Sequence, residues 1–235
     1  MPWGEDEKMK EYPLLLKSEM VRAILEGRKT QTRCPIVPQP ILIDSRTWEW
    51  PYPSTFDEEK NKWILSKASW GKNIDPANCM INFCPWQVGD RLWVRETWRV
   101  DRLNESIKSN NLESGQWVQY KSDNDIWATY PGRWRPSIHM PRWASRITLE
   151  ITNIRVERIQ EISEEDVIAE GFNSTTWNGE LTIFRPPANG FDDIPATQYF
   201  MDFWDSIYAP KGYGWKDNPW VWVREFRRIN ETPTI

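Results

Sequence analysis

Between Ser145 and Ile159 apolar and polar residues alternate with a period of two. Ile147, Leu149 and Ile151 fall on one side, and Thr148, Glu150 and Thr152 on the other. Side chains of a strand point alternately to the two faces of a sheet, so this run predicts a strand with one face on a core. Ile154 and Val156 resume the alternation after a one-residue slip at Asn153, which predicts a β-bulge there. Such a strand needs partners and a covering layer. Leu92-Trp93-Val94, after a Gly89-Asp90 turn and leading to Glu96 and Trp98, is one partner. Trp220-Val221-Trp222-Val223, continued by Glu225, Phe226 and Ile229, is another.

Three short amphipathic segments can supply the cover. Residues Ser18 to Gly27 carry an apolar stripe of Met20, Val21, Ile24 and Leu25, with Ser18 as N-cap and Gly27 as the stop. Ser163 caps a second helix, whose Glu164, Glu165 and Asp166 suit the positive end of the helix dipole, and Gly171 ends it after two turns. Pro195 to Tyr208 form a third, with Phe200, Phe203, Trp204 and Ile207 on one face. Short strands and helices without repeated βαβ units predict an α+β fold around a small twisted sheet or barrel. Seventeen of the 235 residues are Trp, so aromatic rings must provide much of the core.

Two stretches lack a firm period. Pro35, Pro38, Pro40 and Pro51 mark a stretch that cannot be a regular helix, and from Ile41 to Asn82 charges mingle with Trp48, Trp50, Trp63 and Trp70, where one hairpin is expected. The second stretch, Asp101 to Arg142, holds Gly115, Pro131, Gly132 and Pro136.

Composition excludes several functions. No apolar run approaches the ~18–20 residues that span a bilayer, and the N-terminal residues lack the basic and apolar regions of a signal peptide. Three cysteines, an odd number, suit a reducing cytoplasm. Zinc needs about four N or S ligands. Three Cys and one His in all, with only Cys79 and Cys84 near one another, argue against a metal. Neither dinucleotide nor P-loop glycine motifs occur, so no cofactor is expected. A net charge of -4 speaks against non-specific phosphate binding, while leaving room for a local basic pocket.

Three places could carry chemistry. In Gly27-Arg28-Lys29-Thr30-Gln31-Thr32-Arg33 a desolvated lysine could activate a threonine hydroxyl, though a basic helix terminus that satisfies the dipole is the stronger reading of the residues alone. Glu170 stands at a helix C-terminus, where the dipole disfavours a carboxylate; it is either exposed and tolerated or held by a specific partner. The loop Trp134 to Trp143 gathers the single His, two Arg and two Trp and is stiffened by two prolines. It could stack a base and bind phosphate, or lie over the sheet as a structural segment.

The runs MVRAILEGRKTQTR, GDRLWVRE, ISEEDVIAEG and WVWVREF resemble the ASCH domain of the PUA-like superfamily. The longer run from Pro136 to Phe172 is similar to its larger, phage- and prophage-associated branch. The resemblance covers Leu14 to Arg33 and Val88 to Ile229, within a single domain over residues 1–235, and leaves about 41–87 and 101–130 as insertions that add Trp-rich walls to a cleft. It implies a PUA-like barrel with flanking helices and a cleft for a nucleoside or nucleic acid. The family's small N4-acetylcytidine amidohydrolases use a Lys, a Thr and a Glu that fall here on Lys29, Thr32 and Glu170. By that resemblance Lys29 takes the proton of Thr32, and Glu170 protonates the leaving nitrogen. Arg33, His139 and Arg142 become candidates for holding the base or oxyanion, and Trp98 or Trp143 for stacking. The expected partner is a small nucleoside, with RNA as the alternative, and no membrane. Lys29 and Thr32 would face opposite ways in a flat strand, so a shared role requires the backbone to turn between them.

Overall fold

The computed structural model describes residues 9–44, 47–57, 62–70, 77, 80, 81, 84–123, 131–172, 174–177, 180–183 and 194–229. In chain order these form β1 (Glu11–Leu15), α1 (Ser18–Leu25), β2 (Gln31–Pro35), β3 (Ile41–Asp44), β4 (Thr47–Asp57) and β5 (Lys62–Trp70). Next come β6 (Arg91–Arg95), β7 (Trp98–Arg99), β8 (Gln119–Tyr120), β9 (Thr148–Arg158) and α2 (Glu164–Ala169). The last are β10 (Ser174–Trp177), β11 (Glu180–Ile183), β12 (Ile194–Pro195), α3 (Ala196–Tyr208) and β13 (Trp220–Ile229).

The alternating run becomes β9, the middle strand of a five-stranded sheet ordered β1-β6-β9-β13-β2. Only β1 and β6 pair in parallel. The bulge sits where the slip predicts it. Glu225 pairs with Asn153 and Phe226 with Ile151, so Thr152 is left without an opposite residue. The fold is α+β, as expected, but the sheet is open rather than closed into a barrel. Among the described residues β1 and β2 are its edges and do not pair. α1 links them, with Met20 in the core cluster around Phe200 and Trp204, and Val21 and Ile24 in the cluster around Leu92 and Leu149. A helix that buries side chains toward both clusters stands where backbone pairing would be needed for closure.

Local signals fare well with one exception. Ser18 is the first helical residue and the N-cap is Lys17, with no side-chain hydrogen bond. Ser163 does cap α2, accepting from Asp166 N–H at 3.1 Å. The first insertion holds a β3-β4-β5 meander, two hairpins where one is expected. The second is built from short 3₁₀ turns and the β7-β8 pair around a core of Trp98, Val100, Leu112, Met140 and Ala144. Residues 124–130 of that insertion, and Cys79, lie outside the described residues. No helix among the described residues is long and apolar enough to cross a membrane.

Candidate active site

The C-terminal ends of α1 and α2 meet, and the geometry of two glycines lets them. Gly27, at φ 77°, closes α1: its N–H donates to Ile24 O at 3.0 Å and Arg28 N–H reaches back to Ala23 O at 2.8 Å. This is the Schellman pattern, which only a residue tolerant of left-handed backbone completes without strain. The chain then leaves the helix without entering a strand. Thr30 N–H bonds Ala169 O at 2.8 Å, and β2 starts one residue later. Lys29 therefore lies in the turn the shared role requires. It and Thr32 both line one cavity of about 160 Å³. Gly171, at φ 101°, makes the room: a Cβ there would lie 2.8 Å from Lys29 Cβ and 2.9 Å from Ala23 Cβ.

Lys29 is 4 % exposed and its Nζ donates to Gln31 O, Glu170 O and Glu170 Oε2, each at 2.8 Å. Glu170 is thus neither exposed nor merely tolerated. Its carboxylate lies between Lys29 and Arg33, whose Nη1 donates to Oε1 at 3.0 Å, and these cations offset the helix terminus. Burial pushes the Lys29 ammonium below the usual lysine range. Glu170 pulls it back, while Arg33 and Arg224 add to the lowering.

Arg33 lines the cavity, with each of its three guanidinium nitrogens bonded to a carboxylate. Besides Glu170 it engages Glu157 Oε1 at 2.6 Å and Asp166 Oδ2 at 2.6 Å. Arg155 closes the network from β9, bonding Asp166 at 2.9 Å, Glu157 at 3.1 Å and also Glu225. Burial alone would raise Asp166. The Gln31 hydrogen bond and the charges of Arg33 and Arg155 outweigh it and hold the carboxyl below its ordinary value.

The energetic consequence can be tested. Arg33→Met should destabilise the fold by up to about 3–5 kcal/mol, because Glu157, Asp166 and Glu170 each lose one of the two cations that hold them. A carboxyl with a depressed folded pKa contributes stability above its unfolded pKa and loses it as pH falls through the folded value. The deficit should therefore be full at neutral pH and shrink in acid, below the ordinary carboxylate range. Denaturant titrations of both proteins across pH check this; a deficit independent of pH would contradict it.

The other expected substrate contacts are not in this cavity. Trp98 is fully buried in the core of the second insertion, and Trp143 packs edge-on against it at 6.3 Å. Arg142 pairs with Glu11 at 2.9 Å and bonds Thr148 Oγ1 at 3.3 Å. His139 is exposed and lines a different cleft. These residues cluster in sequence, but their loop folds onto the aromatic core of the insertion. Among the described residues the aromatic wall of the cavity comes from α3, through Phe200, Phe203, Trp204 and Tyr208.

Two lining residues escape sequence reasoning. Arg224 lies directly opposite Thr32 in the β13-β2 register, is 6 % exposed, stacks on Trp86 at 4.2 Å, and its buried Nε finds no hydrogen-bond partner. In the sequence it is only a cation that follows the apolar run from Trp220 to Val223, next to Glu225, which is a weak signal. Cys34 also lines the cavity. Burial pushes its thiol up, so it stays protonated near neutral pH and is a poor nucleophile. Tyr208 is likewise pushed up to about 12 by burial and remains a neutral hydroxyl.

The arrangement offers a hydroxyl, a buried amine with a lowered pKa, a carboxyl group in contact with it, and an incompletely bonded guanidinium. Comparison with known protein families, with curated proteins and with solved structures finds no match to this chain.

Proposed function

We propose that this cavity hydrolyses the N4-amide of acylated cytosine nucleosides, releasing cytidine and a carboxylic acid, and that the chain is an ASCH-type, PUA-like domain whose barrel is left open. The observation that carries the reading is the joint lining of one buried cavity by Lys29, Thr32 and Glu170, with Lys29 Nζ 2.8 Å from Glu170. Moving the shared proton across that contact turns ammonium and carboxylate into amine and carboxylic acid. One proton shift thus supplies both the base and the acid that amide cleavage needs.

Thr32 Oγ attacks the amide carbonyl as its proton passes to the Lys29 amine. The carbonyl oxygen becomes an oxyanion, for which the guanidinium of Arg224, paired with Thr32 in the sheet and lining the same cavity, is the donor. On collapse the carbon–nitrogen bond breaks and Glu170 protonates the exocyclic nitrogen, so cytidine leaves as a neutral amine. A proton then passes from Lys29 back to Glu170. Water, deprotonated by Lys29, attacks the Thr32 ester; the acid departs and Thr32 regains its proton. The cavity is smaller than the roughly 300–1,000 Å³ of drug-sized sites, so it suits the acylated edge of one base, with the sugar outside. A site that only bound phosphate would have no use for a lysine 4 % exposed and already bonded to three acceptors.

The pH–rate profile on N4-acetylcytidine tests the assignment of Lys29. Base and acid share one proton, so kcat/KM should fall along a limb below the usual lysine range, where the Lys29–Glu170 pair loses that proton. Lys29→Arg stays charged throughout. It should remove the limb and slow the reaction about 10²–10⁴-fold; an unchanged limb would exclude Lys29 as the base.

A further inference from the structure

A second and larger cleft, of about 760 Å³, is lined by Arg95, Lys108, Arg133, Trp134, Arg135 and His139, and among the described residues no Asp or Glu lines it. In a chain of net charge -4 its sign is opposite to that of the whole. Two of its guanidinium groups, those of Arg95 and Arg135, are held without being neutralised. Arg95 donates to the backbone oxygens of Ser137, at 3.1 Å, and Ile138. Arg135 is 8 % exposed and donates to Ser109 Oγ and to the backbone oxygens of Asn104 and Glu105, at 3.0–3.1 Å; its Nε has no partner. Every one of these acceptors is uncharged, in contrast to the three carboxylates on Arg33. The carboxylate near the rim is Glu105, 3.8 Å from an Arg133 side chain that is 72 % exposed, a weak pair in water.

Trp134 adds a ring, 36 % exposed, resting on the Arg99 guanidinium at 4.2 Å. Fixed cations beside a partly exposed indole suit alternating phosphates and bases of a flexible strand. The position of the cleft matters as well. Arg95 pairs with Leu15 at the ends of β6 and β1, and Leu16 N–H donates to Arg95 O at 3.0 Å. Leu15 and Leu16 line the cavity that holds Lys29, so the two sites meet across this strand pair.

We propose that the cleft binds the phosphodiester backbone of a single-stranded polynucleotide and presents one of its bases to the Lys29 cavity. The first half stands by itself; the second rests on the amidohydrolase reading. Lys108 and Arg133 are exposed, so Lys108→Glu/Arg133→Glu can be made without disturbing a core. Anisotropy titrations of the full chain with labelled single-stranded RNA and DNA oligonucleotides, over ~50–200 mM salt, read the first half. Wild type should bind with a negative log–log salt slope, and the comparison of RNA with DNA shows which strand is preferred. The double variant should bind at least tenfold more weakly, its slope smaller by about 0.7 for each phosphate that is no longer neutralised. Equal affinity and slope in the two proteins, or no salt-sensitive binding at all, would overturn the cleft.

Acid release from an oligonucleotide carrying one N4-acetylcytidine, against release from the free nucleoside, reads the second half. The double variant should slow only the former. An equal rate on both substrates in both proteins refutes delivery and leaves the hydrolase reading intact. Release from neither substrate, with strand binding still abolished in the variant, refutes the hydrolase and the delivery while the cleft stands.

Discussion

Alanine at Gly171 is expected to cost about 2–5 kcal/mol of stability and to disable the cavity. The residue sits at φ 101°, where an L side chain is strained by roughly 1–2 kcal/mol. The added methyl would also meet Lys29 Cβ at 2.8 Å and Ala23 Cβ at 2.9 Å. Neither atom can swing aside, because each is one bond from its backbone. The end of α1 and the turn carrying Lys29 would have to move, and overpacking of this kind costs about 1–3 kcal/mol more. At ~2–4 °C per kcal/mol for a chain of this size, Tm should fall by some ~4–20 °C. Gly27→Ala is the control. It shares the positive φ, at 77°, but a Cβ there meets nothing within 4 Å. It should lose only the backbone part, roughly 1–2 kcal/mol. Thermal melts of both variants separate the two contributions; equal losses would mean that the approach of Lys29 to Gly171 is not what makes this position a glycine.

That approach shows what a reader of the sequence could and could not see. Gly27 and Gly171 are legible as helix stops, because a helix end needs a residue that tolerates left-handed backbone. Their meeting is not legible, since it depends on how α1 and α2 pack. The period-two run at Ile147, Leu149 and Ile151, with its slip at Asn153, foretells both β9 and its bulge, because register is a local property of alternation. The apolar stripe of α3 is equally plain, yet it reads as core where it also walls the cavity. The residues of Gly27 to Arg33 taken alone favour a basic helix terminus; burial of Lys29 against Glu170 is what separates the two readings, and burial is a tertiary fact. Arg33 is hard to read for the same reason: its carboxylates lie more than a hundred residues away in sequence, so nothing nearby reveals that its donors are bonded to them. The loop from Trp134 to Trp143 misleads differently. Its chemistry-bearing residues are neighbours in sequence but divide between the core around Trp98, a surface ion pair with Glu11 and the basic cleft.

Loss of the Thr32 hydroxyl should have the largest effect on activity. Thr32 lies on edge strand β2 beside Arg224, and its hydroxyl is absent from the ion-pair network that holds Lys29, Arg33 and Glu170. Thr32→Ala should therefore fold with near-native stability while removing the atom to which the proposed mechanism transfers the acyl group. When a nucleophile acts as one unit with its base and acid, removing it eliminates most of the rate that the unit provides, here expected to be roughly 10³-fold or more. Thr32→Ser, which keeps the hydroxyl, should retain a substantial part of it. The most direct test is the release of cytidine from N4-acetylcytidine by the purified protein, followed by chromatography for wild type, Thr32→Ala and Thr32→Ser. Release by wild type, its loss in Thr32→Ala and its partial recovery in Thr32→Ser is the predicted result; no release by wild type, or equal release by wild type and Thr32→Ala, would contradict the assignment of this cavity as an N4-acylcytidine amidohydrolase site.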